Sequence, residues 1–189
     1  MDTNFLSTIK RDFEVYQEHY DIKNVCYLRK MFVLITRTTF MTITFFRAAS
    51  SKNKIICFLA LPFYKIARII SGIQIKRGTI IGEGLFIPHY GTIVVNSRSK
   101  IGKNCIIMHN VTLGAKGRGN DLNVPVVGDN VYIGTGAILL GGISIGNNCV
   151  VGAGSVVTKD IKEGTTVAGN PAKEIRARNE ARRMPTSKE

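Results

Sequence analysis

From Ile81 to Val157 an aliphatic residue returns every sixth position, and this period limits the fold more than any other feature of the chain. Ile81, Ile87 and Ile93 form one set of three, and Ile101, Ile107 and Leu113 a second. Val127, Ile133 and Leu139 form a third, Ile145, Val151 and Val157 a fourth, and Val167 opens a partial fifth. Glycine often follows the aliphatic, as at Gly82, Gly102, Gly128 and Gly146. Four positions after it comes a second residue that is usually small or apolar, such as Leu85, Cys105, Ala137, Cys149 or Ser155. Neither a helical period nor simple alternation accounts for this spacing. A six-residue period with Gly-rich corners marks a β-helix, in which no coil buries its apolar face until the next coil stacks on it.

Three hexads close one coil of a triangular prism, so residues about 18 apart share a corner, one inter-strand spacing of about 4.8 Å apart. Two extra residues are expected between the first and second coils, near Ser97–Lys100. A larger insertion after Leu113, AKGRGNDLNVP, must bulge from the prism, and insertions in repeat folds tend to map to the binding face. The chain has three His. His19 falls in an N-terminal helix and reads as an ordinary surface residue. His89 and His109 hold equivalent positions in successive coils, and Thr135 and Ala153 hold that position in the next two. One prism edge should therefore run His89, His109, Thr135, Ala153. A base could act at its polar end while an extended ligand lies along the small residues. The alternative is two corner histidines without a role. A metal is not expected, since no third ligand accompanies the pair.

Residues 1–72 read as an α-helical region. Phe5, Ile9, Phe13 and Tyr16 have helical spacing. The run Met31–Phe46 is broken by Arg37 and several Thr; it is too short and polar for a span of about 20 apolar residues, and a buried helix is expected. After a polar linker over 48–54, residues 55–70 read as an apolar helix bent by Pro62. It carries a basic face at Lys65 and Arg68, and the two apolar segments together allow peripheral attachment to a membrane. Residues 73–172 form the β-helix, and 173–189 a basic C-terminal helix and tail. Cys26, Cys57, Cys105 and Cys149 show no C-x-x-C spacing. Cys105 and Cys149 read as small core residues. With no basic-then-apolar leader at the start, a reduced, cytoplasmic chain is expected. The formal charge of +13 favours anionic partners. Nucleic acid is not expected, because no zinc-finger, helix-turn-helix or aromatic RNA-binding motif accompanies the charge.

The segments HYGTIVVN, IGKNCIIMHNVTLGAKGRG and VYIGTGAILLGGISIGNNCVVGAGSVVTKDIKEGTTVAGNPAK resemble the serine acetyltransferase family of hexapeptide acyltransferases over residues 70–176. The resemblance implies a left-handed parallel β-helix, homotrimers with sites between adjacent prisms, and acetyl-CoA as donor. It places the family's general base at His89, where a neutral imidazole can take a proton from the acceptor hydroxyl. Backbone N–H groups near Gly114 would steady the oxyanion. Gly114 and Ala115 would lie near the thioester and Thr135 and Ala153 along the corner. Thr158, Lys159, Lys173 and Arg176 would meet the phosphate-bearing end, where fixed cations pair with phosphate.

The chain departs from the family at the groups that hold serine. Gln74 stands where an Asp orients the catalytic His and would offer His89 a neutral partner. Pro88 replaces the Asp before that His. Asn123 and Val124 replace an Arg-His pair. These losses, together with His109, resemble the branch that acetylates sugars in capsule, exopolysaccharide or O-antigen synthesis. The expectation is an acetyl-CoA-dependent O-acetyltransferase acting on a sugar or polysaccharide precursor. L-serine O-acetylation is the alternative within the enzymes, and a trimeric scaffold without catalysis is the alternative outside them.

Overall fold

The computed structural model describes residues 5–22, 24–117 and 123–177. Four helices, α1 (Phe5–His19), α2 (Tyr27–Ile35), α3 (Thr38–Ala49) and α4 (Lys54–Ser71), precede a left-handed parallel β-helix. Asn53 opens α4 by accepting from the N–H groups of Ile55 and Ile56, and Gly72 closes it in the left-handed conformation. The run from Met31 to Phe46 is not one buried helix. It divides between α2 and α3 at Thr36–Arg37, and α2 exposes Leu28, Phe32 and Ile35. None of the described helices is long and apolar enough to cross a membrane.

Three sheets form the faces of the prism. Sheet A stacks Ile73–Ile75, Ile93–Val95, Thr112–Gly114, Ile138–Leu140 and Val156–Val157. Sheet B stacks Ile80–Ile81, Lys100–Ile101, Val126–Val127 and Ser144–Ile145. Sheet C stacks Ile106–Ile107, Tyr132–Ile133, Val150–Val151, Thr165–Ala168 and Lys173–Ala177. The hexad aliphatics form continuous ladders through the core. Ile81, Ile101, Val127 and Ile145 stack in sheet B, and Ile107, Ile133, Val151 and Val167 in sheet C. Cys105 and Cys149 are fully buried. Burial pushes the Cys105 thiol up to about 11, so it is an inert core group.

Register corrects two expectations. In sheet A, Val95 rather than Ile93 pairs with Leu113. The two extra residues of the first coil therefore lie between Ile87 and Val95, in the corner that carries His89, and not near Ser97–Lys100. The second correction concerns the C-terminal segment. Lys173–Ala177 is a strand running antiparallel to Thr165–Ala168, not the start of a helix. The remaining tail, 178–189, lies outside the described residues, as do 118–122 of the large insertion.

The first coil has no coil beneath it, so its open backbone groups need other partners. The helices supply them. Asp12 accepts from the N–H groups of Gly84 and Leu85 at 2.7 and 3.1 Å. Arg47 donates to the carbonyls of Ile81 and Gly82, both at 2.6 Å. The two side chains pair at 3.0 Å and are 2% and 8% exposed. Burial pushes the Asp12 carboxyl up, while Arg47 and the two N–H groups pull it down. The Tyr64 hydroxyl donates to the Ile75 carbonyl. Breaking a buried, hydrogen-bonded pair by removing one partner costs about 3–5 kcal/mol. We expect Asp12→Ala to destabilise the fold by that amount in chemical denaturation. The paired apolar replacement Asp12→Leu with Arg47→Met should not recover the loss, because the backbone groups of Ile81, Gly82, Gly84 and Leu85 are then left without these partners.

Candidate active site

The corner between sheets C and A carries the histidines. His89 and His109 meet edge to face, with ring centroids 5.7 Å apart and an interplanar angle of 89°. They come from successive coils of one corner, as the repeat predicted, but their backbones are not directly stacked. Gly91 lies beneath His109: a Cβ added to Gly91 would stand 3.1 Å from the His109 Cβ. Gly91 also has φ of +143°, a conformation that favours glycine. The two-residue enlargement of this corner thus lifts exposed His89 outward beside the His109 ring. His109 is half-buried, and its Nδ1 is buried with no hydrogen-bond partner among the described residues.

Helix α1 holds the segment that leads into His89. The Tyr16 hydroxyl donates to the Ile87 carbonyl at 3.1 Å and accepts from the Ile87 N–H at 3.2 Å. Burial pushes the Tyr16 phenol up, which keeps its proton available for donation. Tyr20 donates to the Pro88 carbonyl at 3.2 Å, one residue before His89. His19 stacks on Phe86 at 4.0 Å, so it is a packing residue and not merely a surface one. The sequence reading missed Asp12, Tyr16 and Tyr20 as support for the site. Helical spacing placed Tyr16 in the first helix, but nothing in it could say which coil that helix meets.

Beyond His109 the corner is bare. The Gly136 N–H donates to the His109 carbonyl at 3.0 Å, and the Gly154 N–H to the Thr135 carbonyl at 2.8 Å. These bonds stack Thr135 and Ala153 above His109 in one line. A Cβ added to Gly154 would meet nothing within 4 Å, and one added to Gly136 nothing closer than 3.9 Å. The line ends at Lys173, which pairs with Ala168 at the sheet C edge of the same corner and is exposed. Arg176 pairs through its backbone with Thr166, farther back on sheet C. From the His89 coil to the strand that carries Lys173 is five spacings, roughly 24 Å. The corner is thus an open ledge with an imidazole at one end and an ammonium at the other. It fits an extended thioester that ends in phosphates.

The other predicted residues lie elsewhere. The parallel strands of sheet A all enter at this corner and leave at the opposite one. Gly114 and Ala115 end one strand, and Thr158 and Lys159 follow another, so they occupy the far edge of sheet A. The strand width between the edges is three residues, roughly 10 Å. Asn123 also lies at that far edge. It packs against Gly142 and lines a groove of about 360 Å³ with Arg98, Val124, Val126, Ile143 and Ser144. Gln74 faces outward from the first strand of sheet A, in register with Val94. No hydrogen bond joins it to His89 among the described residues, so the expected orienting contact is not made. Arg98 was missed, because only the fold brings it beside Asn123.

A family profile described as bacterial transferase hexapeptide (six repeats) matches residues 125–159. A serine acetyltransferase of Helicobacter pylori is 40% identical over 118 residues, which are 62% of this chain and 69% of that protein. The structure of soybean serine acetyltransferase complexed with serine superposes with a TM-score of 0.76 and 31% identity, covering 92% of this chain and 70% of that one. A serine acetyltransferase in complex with CoA superposes with a TM-score of 0.74 and 27% identity, covering 92% and 71%. These relatives overturn the assignment to the polysaccharide branch. That assignment weighed a few substituted loop positions, whereas the likeness to serine acetyltransferases runs through the coils and the helices that precede them. If Tyr20 positions the loop before His89, Tyr20→Phe should lower kcat roughly fivefold, the worth of one hydrogen bond, with the donor KM unchanged in steady-state assays. The profile, the sequence relative and the structural neighbours agree: this chain belongs to the serine acetyltransferase family of hexapeptide acyltransferases.

Proposed function

We propose that the chain transfers the acetyl group of acetyl-CoA to the hydroxyl of L-serine, with His89 as general base and each site formed between two copies of a homotrimer. The observation that carries this reading is the position of His89. It stands exposed at the start of a bare ledge, in a chain 40% identical over 118 residues to a serine acetyltransferase. The solved serine and CoA complexes of related enzymes supply the two ligand classes. The sugar acceptor expected from the sequence is withdrawn on the same grounds. The scaffold alternative gains nothing from a corner that keeps its imidazoles, its small residues and its terminal lysine.

His89 takes the proton of the acceptor hydroxyl as that oxygen attacks the thioester carbon, then returns it to the departing thiolate sulfur. His109, edge-on to His89, limits the rotation of the ring. Thr135, Ala153 and Lys173 hold the donor along the ledge, with Lys173 at its phosphates. Gly114, Ala115, Thr158 and Lys159 belong to the same site but lie across sheet A. A neighbouring copy that presents its far edge to this corner would unite the two halves, which supports a trimer. That far edge also supplies the acceptor's carboxylate partner. The family's Arg-His pair is absent at Asn123 and Val124, but Arg98 lines the same groove. We assign it the carboxylate, which it can hold with two parallel hydrogen bonds.

Two measurements test the reading. His89→Ala should lower kcat with L-serine by roughly 10²–10⁴, the range for one general base, and leave CoA binding in calorimetry nearly unchanged. Arg98→Ala should raise the serine KM by about 10–100-fold, as for a lost charge-assisted hydrogen bond, with little change in the acetyl-CoA KM. Thiol release that depends on no added serine in the wild type would overturn the acceptor. Full activity in His89→Ala would overturn the base.

A further inference from the structure

Helix α4 buries Ala60, Tyr64, Ala67 and Ser71 against the rest of the protein. Its opposite side is apolar and open: Ile55, Phe58, Leu59, Ile66, Ile69 and Ile70 are all exposed, Phe58 by 75% and Ile69 by 83%. A contiguous face of this kind marks an interaction surface. Its rim is cationic. Lys54 and Lys65 are exposed and lie about three turns apart along one flank of the stripe. The surrounding charge is one-sided. From Ile22 to Gly82 the chain has eleven Lys and Arg and no Asp or Glu.

This charge pattern selects the occupant. A second copy of the chain docked face to face would set one cationic region against another, and like charges at close range oppose such pairing. An acid-rich protein partner would satisfy the charge but would not need so broad an aliphatic stripe. An anionic lipid surface satisfies both features: headgroups meet the lysines while Phe58 and the isoleucines enter the acyl boundary. Helix α4 is not long and apolar enough to span, which agrees with a helix lying in the plane of the interface. We propose that the outer face of α4 docks this protein on an anionic lipid bilayer.

The test is flotation of the full-length chain with vesicles of phosphatidylcholine alone and of phosphatidylcholine mixed with phosphatidylglycerol. We expect at least about tenfold more protein on the anionic vesicles, since several basic side chains each contribute to such attraction. Binding should weaken as salt rises. Phe58→Ser with Ile66→Ser should reduce binding to the anionic vesicles at least about tenfold. Lys54→Glu with Lys65→Glu should reduce it to a similar extent. All four side chains are exposed, so thermal melting of both variants should match the wild type. Failure of the wild type to float with anionic vesicles would overturn the proposal. So would binding that survives both double substitutions, or a lipid-free assembly of the wild type that the Phe58→Ser, Ile66→Ser variant loses.

Discussion

The buried pair of Asp12 and Arg47 is the contact on which the active corner depends. A β-helix satisfies its backbone by stacking coils, and its first coil has nothing below it. Asp12 reaches two N–H groups at Gly84 and Leu85, and Arg47 two carbonyls at Ile81 and Gly82. One ion pair thus closes both polarities of the open end and fixes α1 and α3 to the first coil. With α1 so fixed, Tyr16 and Tyr20 are in place to hold Ile87 and Pro88. The end of the prism most in need of capping is also the end that carries His89, and the same helix serves both purposes.

Function follows from the direction of the strands. Because the strands of sheet A are parallel, each copy presents an entrance edge and an exit edge of different chemistry. The entrance edge has the imidazoles, a ledge of Thr and small residues, and Lys173. The exit edge has Gly114, Ala115, Lys159 and the groove shared by Arg98 and Asn123. A stacked β-sheet does not fold back on itself across its own width, so one copy cannot bring the two edges together. Packing of copies entrance to exit is heterologous, and closure of such contacts produces a ring.

Much of this was legible in the sequence because the hexad period is strict. The core aliphatics, the five coils, the shared corner of His89 and His109 and the line through Thr135 and Ala153 all follow from counting. Counting failed where spacing alone does not locate an insertion. The extra pair of residues in the first coil could sit at any of its corners, and only the Val95–Leu113 register places it beside His89. The run through Arg37 looked like one helix because composition does not show where a chain turns. The strand at Lys173–Ala177 carries a charge pattern equally suited to a helix, and pairing with Thr165–Ala168 decided the matter. Arg98 did not stand out because no hexad position shows that it lines one groove with Asn123. The sugar acceptor was expected because the Arg-His pair is absent at Asn123 and Val124, and no spacing in the sequence shows that Arg98 lines the same groove.

In the proposed mechanism His89 from one copy works on an acceptor held by Arg98 from another. Co-expression of His89→Ala chains with Arg98→Ala chains tests it most directly, by the rate of serine-dependent thiol release from the purified mixed assemblies at serine well below the wild-type KM, where a raised KM lowers the rate in proportion. Random assembly pairs an intact His89 corner with an intact Arg98 edge in about one quarter of the interfaces. Recovery of about that fraction of wild-type activity, well above either parent variant, is expected. A mixture no more active than the average of its two parents would contradict it.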